Sequence, residues 1–162
     1  MQKNSLALVV LVLVLAMPVD ACAMAAALDS EIPENVQAAC EKWGAAYDIC
    51  PELLESICYN ESRYIPTVEN GTCKGLMQIN TPYHKERMKN CNVKDIFDID
   101  SNIHVGADYL AELFKDHEDT AVVIALYHGE VNAEEKAKQN KLSKYTKKIL
   151  EKAASLERAH GK

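Results

Sequence analysis

The sequence predicts an all-α chain, with at most a minor β-hairpin. Three observations carry this. Apolar residues recur at helical spacing in nearly every segment after the N-terminus, prolines and small polar residues stand where helices would begin, and no segment alternates strongly enough to read as a strand. The chain has 162 residues, enough for one domain around one core but not two. Hydrophobic residues make up 48%, an ordinary share, so the pattern rather than the amount of apolar sequence must specify the core.

The first segment differs in kind from the rest. Leu6 to Ala16 is an unbroken apolar run behind a short start carrying Lys3, and it ends at Pro18 and Asp20 before the small residues Ala21, Ala23 and Ala25. This is the pattern of a secretory signal, so 1–23 is expected to be a signal peptide and 24–162 the working domain. A spanning helix needs about 20 apolar residues, and this run is short for one. Membrane contact is therefore expected only through this segment, if it is not cleaved. Val19-Asp20-Ala21-Cys22 matches a lipoprotein cysteine site poorly, because Asp20 sits inside it.

Helices are then expected in order. Pro33 opens a segment with Val36, Ala39, Cys40, Trp43 and Tyr47 at helical spacing. Pro51, at a favoured first position, opens a second helix reaching about Arg63. Residues 63–74, with Pro66 and Asn70-Gly71, read as a loop, and Gly75–Ile79 as a short buried turn or helix. Thr81-Pro82 reads as a cap and first turn of a helix to about Lys89. A helix from about Ser101 to Lys115 follows, with Leu110, Leu113 and Phe114 on its core face. Thr120–Tyr127 is apolar nearly all round, which marks a buried central helix. Leu142, Tyr145, Ile149, Ala153 and Leu156 form the stripe of a last helix expected to pack back on the domain.

One residue breaks this pattern. On the second helix Leu54, Ile57, Cys58 and Glu61 fall along a single stripe that is apolar apart from the carboxyl. A carboxyl on a core-facing stripe is desolvated, which raises its pKa and suits it to act as a general acid. The plain alternative is a Glu at the stripe's edge, in water or in an ion pair. Glu55, six residues earlier, lies about 120° around the helix and is expected to face elsewhere.

The stretch around Glu61 reads Pro51-Glu-Leu-Leu-Glu-Ser-Ile-Cys-Tyr-Asn-Glu61-Ser62, followed by Gly75-Leu-Met-Gln-Ile79 and later by Ala125-Leu-Tyr127-His128-Gly129. In this order the three segments resemble the catalytic domain of the soluble lytic transglycosylases, relatives of goose-type lysozyme that cut peptidoglycan. The likeness covers roughly residues 34–130. Glu-Ser alone carries nothing, whereas Glu-Ser with Gly-Leu-Met-Gln-Ile downstream is specific. The third segment matches at Tyr127 and Gly129 but has His128 where the family has Asn. The resemblance implies a lysozyme-like helical domain with a glycan-binding cleft, acting on peptidoglycan strands outside the cytoplasm and needing no cofactor.

The resemblance also implies roles. Glu61 would protonate the glycosidic oxygen and then, as base, take the proton of the muramyl 6-hydroxyl, leaving a 1,6-anhydro ring. No second carboxylate accompanies it in the matched motifs, although glycosidases commonly use a pair. Ser62, Met77, Gln78 and Tyr127 are placed around the substrate, and His128, where the chain leaves the family pattern, is a further candidate beside them. Gly75 would let backbone approach the glycan, with tight packing as the alternative. Two other functions stand beside this one: a muramidase of the same fold that uses water, and a glycan-binding protein whose catalysis has lapsed.

Charge and cysteines limit the partners. The net charge of −6 argues against nucleic acid and supplies no general attraction to anionic wall polymers, so glycan must be gripped by the cleft itself. The chain is expected to act as a monomer. Of six cysteines, Cys73 and Cys91 flank Gly75–Ile79 in turn-like segments and are the preferred disulfide pair. No Cys-x-x-Cys occurs, so no metal is expected. Asp98-x-Asp100-x-Asn102 lacks the later glycine and acid of a calcium loop and reads as helix capping.

Overall fold

A computed structural model describes residues 32–162. The expected signal peptide and Cys22 lie outside the described residues. Among those described, no helix is long and apolar enough to cross a membrane.

The described chain is mostly helical. Its helices are α1 (Glu34–Tyr47), α2 (Pro51–Ser62), α3 (Lys85–Asn90), α4 (Ile99–Asp116), α5 (Thr120–Tyr127), α6 (Ala133–Lys138) and α7 (Lys144–Ala159). Three two-residue strands, β1 (Glu69–Asn70), β2 (Cys73–Lys74) and β3 (Ile79–Asn80), form an antiparallel sheet in sequence order. Asn70 pairs with Cys73, and Cys73 with Asn80. The fold class is as predicted, although the loop expected over 63–74 carries two of the strands.

α2 is the spine. It packs against α1 on one side and α7 on another, and every residue from Glu52 to Cys58 is buried. Leu54, Ile57 and Cys58 are fully buried and join Leu76, Met77, Ile103, Leu110, Ile124 and Leu156 in one core. Pro51 starts α2 where a missing N–H costs nothing, and Arg63, in the left-handed region at φ 55°, ends it. α5 is buried from Ala121 to Ala125, as its all-round apolar sequence requires. α7 lays Thr146, Ile149, Ala153 and Leu156 inward and packs along α2 and α5.

Two boundaries differ from expectation. Thr81–His84 is a turn and α3 starts only at Lys85. α6 was not foreseen, because Ala133–Lys138 is a single short stretch with one buried residue, Ala133, and so carries no stripe. Asp98 caps α4 by accepting from the Ser101 N–H at 2.9 Å, which is the capping role its sequence context suggests.

Asn102 ties the sheet to the helices. Fully buried on α4, it accepts from the Met77 N–H at 2.8 Å and donates to the carbonyls of Lys74 (3.0 Å) and Ile96 (2.8 Å). Gly75 has φ +78°, and a Cβ there would sit 2.1 Å from the Asn102 amide nitrogen. The glycine is thus required by tight packing, the alternative reading of the sequence, rather than by an approaching ligand.

Candidate active site

A cavity of about 590 Å³ opens where the end of α2, the small sheet, α4 and the end of α5 meet. Of the residues singled out in the sequence, Glu61, Gln78, Tyr127 and His128 line it. Ser62, Gly75 and Met77 do not. Ser62 is buried and its hydroxyl donates back to the Cys58 carbonyl at 2.9 Å. Met77 is fully buried, and its sulfur would meet a Cβ on Gly106 at 2.2 Å, so it fills the space beneath the cavity.

Glu61 sits in the last turn of α2, half-buried at the cavity end of the apolar stripe. Burial raises its pKa above the ordinary 4.5, opposed by a hydrogen bond from Tyr145 and by the charge that His128 can carry. The nearby C-terminal end of α2 also disfavours a negative charge. The Tyr145 hydroxyl donates to Glu61 Oε1 at 2.5 Å. The Tyr145 ring in turn stacks on His128, centroids 3.7 Å apart and planes inclined by 11°. Burial and the neighbouring Glu61 push the Tyr145 phenol up, so it stays a donor. Sequence reasoning placed Tyr145 only on a core stripe. The available signal was that a buried tyrosine hydroxyl needs a partner.

Tyr127 donates to the Met77 carbonyl at 2.8 Å, which fixes its ring against the cavity. Gln78, at φ 48°, donates through its amide nitrogen to the carbonyls of Gly75 (2.9 Å) and Val68 (3.1 Å). Two carbonyl partners fix the amide orientation and leave the Gln78 side-chain oxygen as an acceptor for a ligand hydroxyl.

The remaining wall was not read from the sequence. Asn70 and Asn80 come from the sheet, Tyr83 and His84 from the turn before α3, and Tyr109 from α4. Glu130 also lines the cavity, so a second carboxylate is present outside the matched motifs. Its oxygens are engaged: Lys136 donates to one at 3.3 Å and Thr146 to the other at 3.4 Å. Burial raises its pKa, but hydrogen bonds from Ser143, Lys136 and Thr146 outweigh this and hold it below the ordinary value. Glu55 is buried and stands apart from the cavity.

The preferred disulfide is not formed. Cys73 and Cys91 are both free thiols. Cys73 lies on β2 in the cavity wall, whereas Cys91 closes α3 in the field of Asp108 and Arg87. Their turn-like sequence contexts did not decide the pairing. No group of three or more His, Cys, Asp or Glu that could hold a metal occurs among the described residues.

One protonatable carboxyl at the end of a buried stripe, a phenol donating to it and a cavity lined with hydrogen-bonding groups and aromatic rings can together deliver and recover a proton at a glycan oxygen. No curated protein matches the chain. The family model described as the Transglycosylase SLT domain matches residues 38–150, which include the cavity-lining residues and Tyr145. With most of its length matched, the chain belongs to the transglycosylase SLT domain family, whose lysozyme-like domains act on peptidoglycan.

Proposed function

We propose that this protein is an exported lytic transglycosylase that cuts the MurNAc-β-1,4-GlcNAc bond with Glu61 as its one acid–base carboxyl, leaving 1,6-anhydroMurNAc ends. The observation that carries this reading is the half-buried Glu61 carboxyl, raised in pKa by burial yet held by the Tyr145 hydroxyl at 2.5 Å. The two influences suit the two steps. Burial keeps the proton on Glu61 for delivery to the leaving oxygen. Once Glu61 is ionised, the Tyr145 donor stabilises the carboxylate that must accept the 6-hydroxyl proton. That internal hydroxyl replaces water, so no carboxyl is needed to activate a water molecule. Gln78 and Tyr127 hold the sugar beside the acid. The substrate lies outside the cytoplasm, which agrees with the apolar N-terminal run and small residues expected of an export signal.

Glu130 supports a second reading, a hydrolytic muramidase in which it serves as base for water. It is disfavoured because Lys136 and Thr146 already occupy its oxygens and hold it ionised by hydrogen bonding, as a structural anion is held. Mass spectrometry of digested peptidoglycan decides between them. Anhydromuropeptides, with Glu130→Gln still active, are expected. Reducing-end muramic acid together with loss of activity in Glu130→Gln would establish the muramidase instead.

A further inference from the structure

The net charge of −6 conceals a local excess of the opposite sign. α2 and α7 run antiparallel, since Tyr145 meets Glu61 at one end of the pair and His160 meets Glu52 at the other. Along one side of their contact lies a groove of about 480 Å³, separate from the cavity that holds Glu61. Arg63 comes to it from the end of α2, and Lys148 and Lys152 come from α7. Glu151 is the one carboxylate among the described residues that line it, so three cations face a single anion.

These cations are held in place without being neutralised. The Arg63 guanidinium lies 4.3 Å and the Lys152 ammonium 4.1 Å from the centroid of the same Tyr59 ring. The negative face of a ring attracts each cation, but a quadrupole has no net charge and cannot cancel them. Arg63 also donates to the Tyr59 carbonyl at 3.3 Å, which uses one nitrogen and leaves the rest of its fork open. Tyr59 is braced in turn by Tyr64, with ring centroids 5.4 Å apart. Among the described residues, Arg63, Lys148 and Lys152 enter no ion pair, whereas Lys42, Lys74, Arg87, Lys136 and Lys162 each meet a carboxylate. Two positive groups drawn to one ring, with no counter-charge beside them, form an arrangement that an anion would stabilise.

We propose that the groove between α2 and α7 binds a polyol phosphodiester chain of the cell wall, with Arg63, Lys148 and Lys152 contacting successive phosphates. Lys148 and Lys152 stand one helical turn apart, about 6 Å, so the charges form a row that suits a chain of repeated anions. No aliphatic residue lines the groove, which gives an acidic protein segment no pocket for an anchoring side chain. The Tyr59 ring carries two cations, which a stacked nucleobase would have to displace. Asn60 and Ser155 add an amide and a hydroxyl for the polyol oxygens. Asn60 adjoins Glu61 and Lys148 follows Tyr145 by one turn, so a bound chain would run along the flank of the candidate active site. Such a grip needs only that the protein works at the wall and does not depend on the product that Glu61 forms.

The test is titration calorimetry of the wild-type protein with a soluble glycerol phosphodiester oligomer, which has no glycosidic bond to cut. Replacing both lysines, Lys148→Gln with Lys152→Gln, is expected to weaken binding roughly tenfold. Both side chains reach solvent, so the core is left intact. Lys94→Gln with Lys115→Gln removes the same charge elsewhere on the surface and should leave the affinity unchanged. A polyglutamate of equal charge should bind more weakly than the phosphodiester. Glu61→Gln protein should sediment with wall that keeps its phosphodiesters, and less after hydrofluoric acid has removed them. No oligomer binding, or equal losses in the two paired variants, overturns the groove. Polyglutamate that binds as tightly as the oligomer, or sedimentation that ignores the acid treatment, overturns the assignment to a wall phosphodiester. Wild-type protein that digests wall but ignores the oligomer overturns the groove alone. Oligomer binding that needs Lys148 and Lys152, in a protein that cuts no wall, overturns the cleavage reading and leaves the groove standing.

Discussion

The hydroxyl of Tyr145 donates to Oε1 of Glu61 at 2.5 Å across 84 residues of sequence, so the last helix completes a site that begins on the second. In Tyr145→Phe the ring is kept and only this donor is lost. The hydrogen bond lowers the Glu61 pKa, so its removal should raise that pKa further. The acid step would survive to higher pH, while the base step would lose its stabilised carboxylate. Activity near neutrality is expected to fall roughly tenfold to a hundredfold, with the alkaline limb of the profile moved upward. A pH–rate profile with an unmoved limb would show that the contact is only structural.

Glu61→Gln should abolish wall lysis and keep the fold. Its stability carries a second signature. Because the folded pKa lies above the ordinary 4.5, the folded state binds more protons than the unfolded one in the window above 4.5. The wild type therefore has its full stability from this group at acid pH and loses it as pH rises through the raised pKa. Glutamine does not titrate, so the variant should gain on the wild type as pH rises. Melting curves from acid to neutral pH check this, and a variant that loses ground with rising pH contradicts the desolvated carboxyl.

The order of helices was legible because each carries a stripe or a start signal. Leu54, Ile57 and Cys58 pointed to the core and Glu61 to an anomaly on the same face, and all four lie as that pattern requires. What the sequence hid depends on tertiary contact. Tyr145 looks like any core tyrosine until α7 folds back on α2. Tyr83, His84 and Tyr109 come from two separate elements and have no shared spacing. Ser62 was read as ligand-facing because motif residues near an acid suggest contact, whereas its hydroxyl bonds back to the helix, and of the two readings open for Gly75 the Asn102 side chain favours packing.

Asn102 offers a test of how the site is supported. Replacing it with Ala would leave the Met77 N–H and the carbonyls of Lys74 and Ile96 without their partner in the protein interior. A loss of roughly 2–4 kcal/mol is expected, read from denaturant unfolding. Because Met77 also accepts from Tyr127, activity should drop beyond what the unfolded fraction explains. A variant within about 1 kcal/mol of wild type would show that water replaces the amide without strain.

A buried acid fastens the far end of the molecule. Glu52, 1% exposed, meets His160 Nδ1 at 2.8 Å and Lys162 Nζ at 2.6 Å, and the Cys50 thiol donates to it at 2.7 Å. Burial raises its pKa, but the bonds from Cys50, Lys162 and His160 outweigh this and bring it to about 2. A depressed carboxyl contributes stability above its unfolded value of 4.5 and loses it as pH falls toward 2. Glu52→Gln should cost at most roughly 3 kcal/mol at neutral pH, and that cost should shrink between pH 4.5 and 2. A pH-independent difference would assign the effect to packing alone.

His128 was read from the sequence as a departure from the soluble lytic transglycosylase pattern, and its surroundings would give that departure a consequence. The ring is exposed, stacks on Tyr145 and lines the cavity with Glu61. When protonated, it favours the Glu61 carboxylate and lowers that pKa. Cleavage needs the protonated acid, so a charged His128 depletes the active form on the acid side, where an asparagine would not. His128→Asn should therefore raise the Glu61 pKa, keep or increase activity at acid pH, and carry the falling limb to higher pH. Part of the stacking on Tyr145 is lost, so the height of the curve is expected to change along with its position. Profiles of both proteins on the same purified wall decide the matter. Curves that superimpose after scaling would mean that the ring supports Tyr145 by stacking and exerts no charge on the acid.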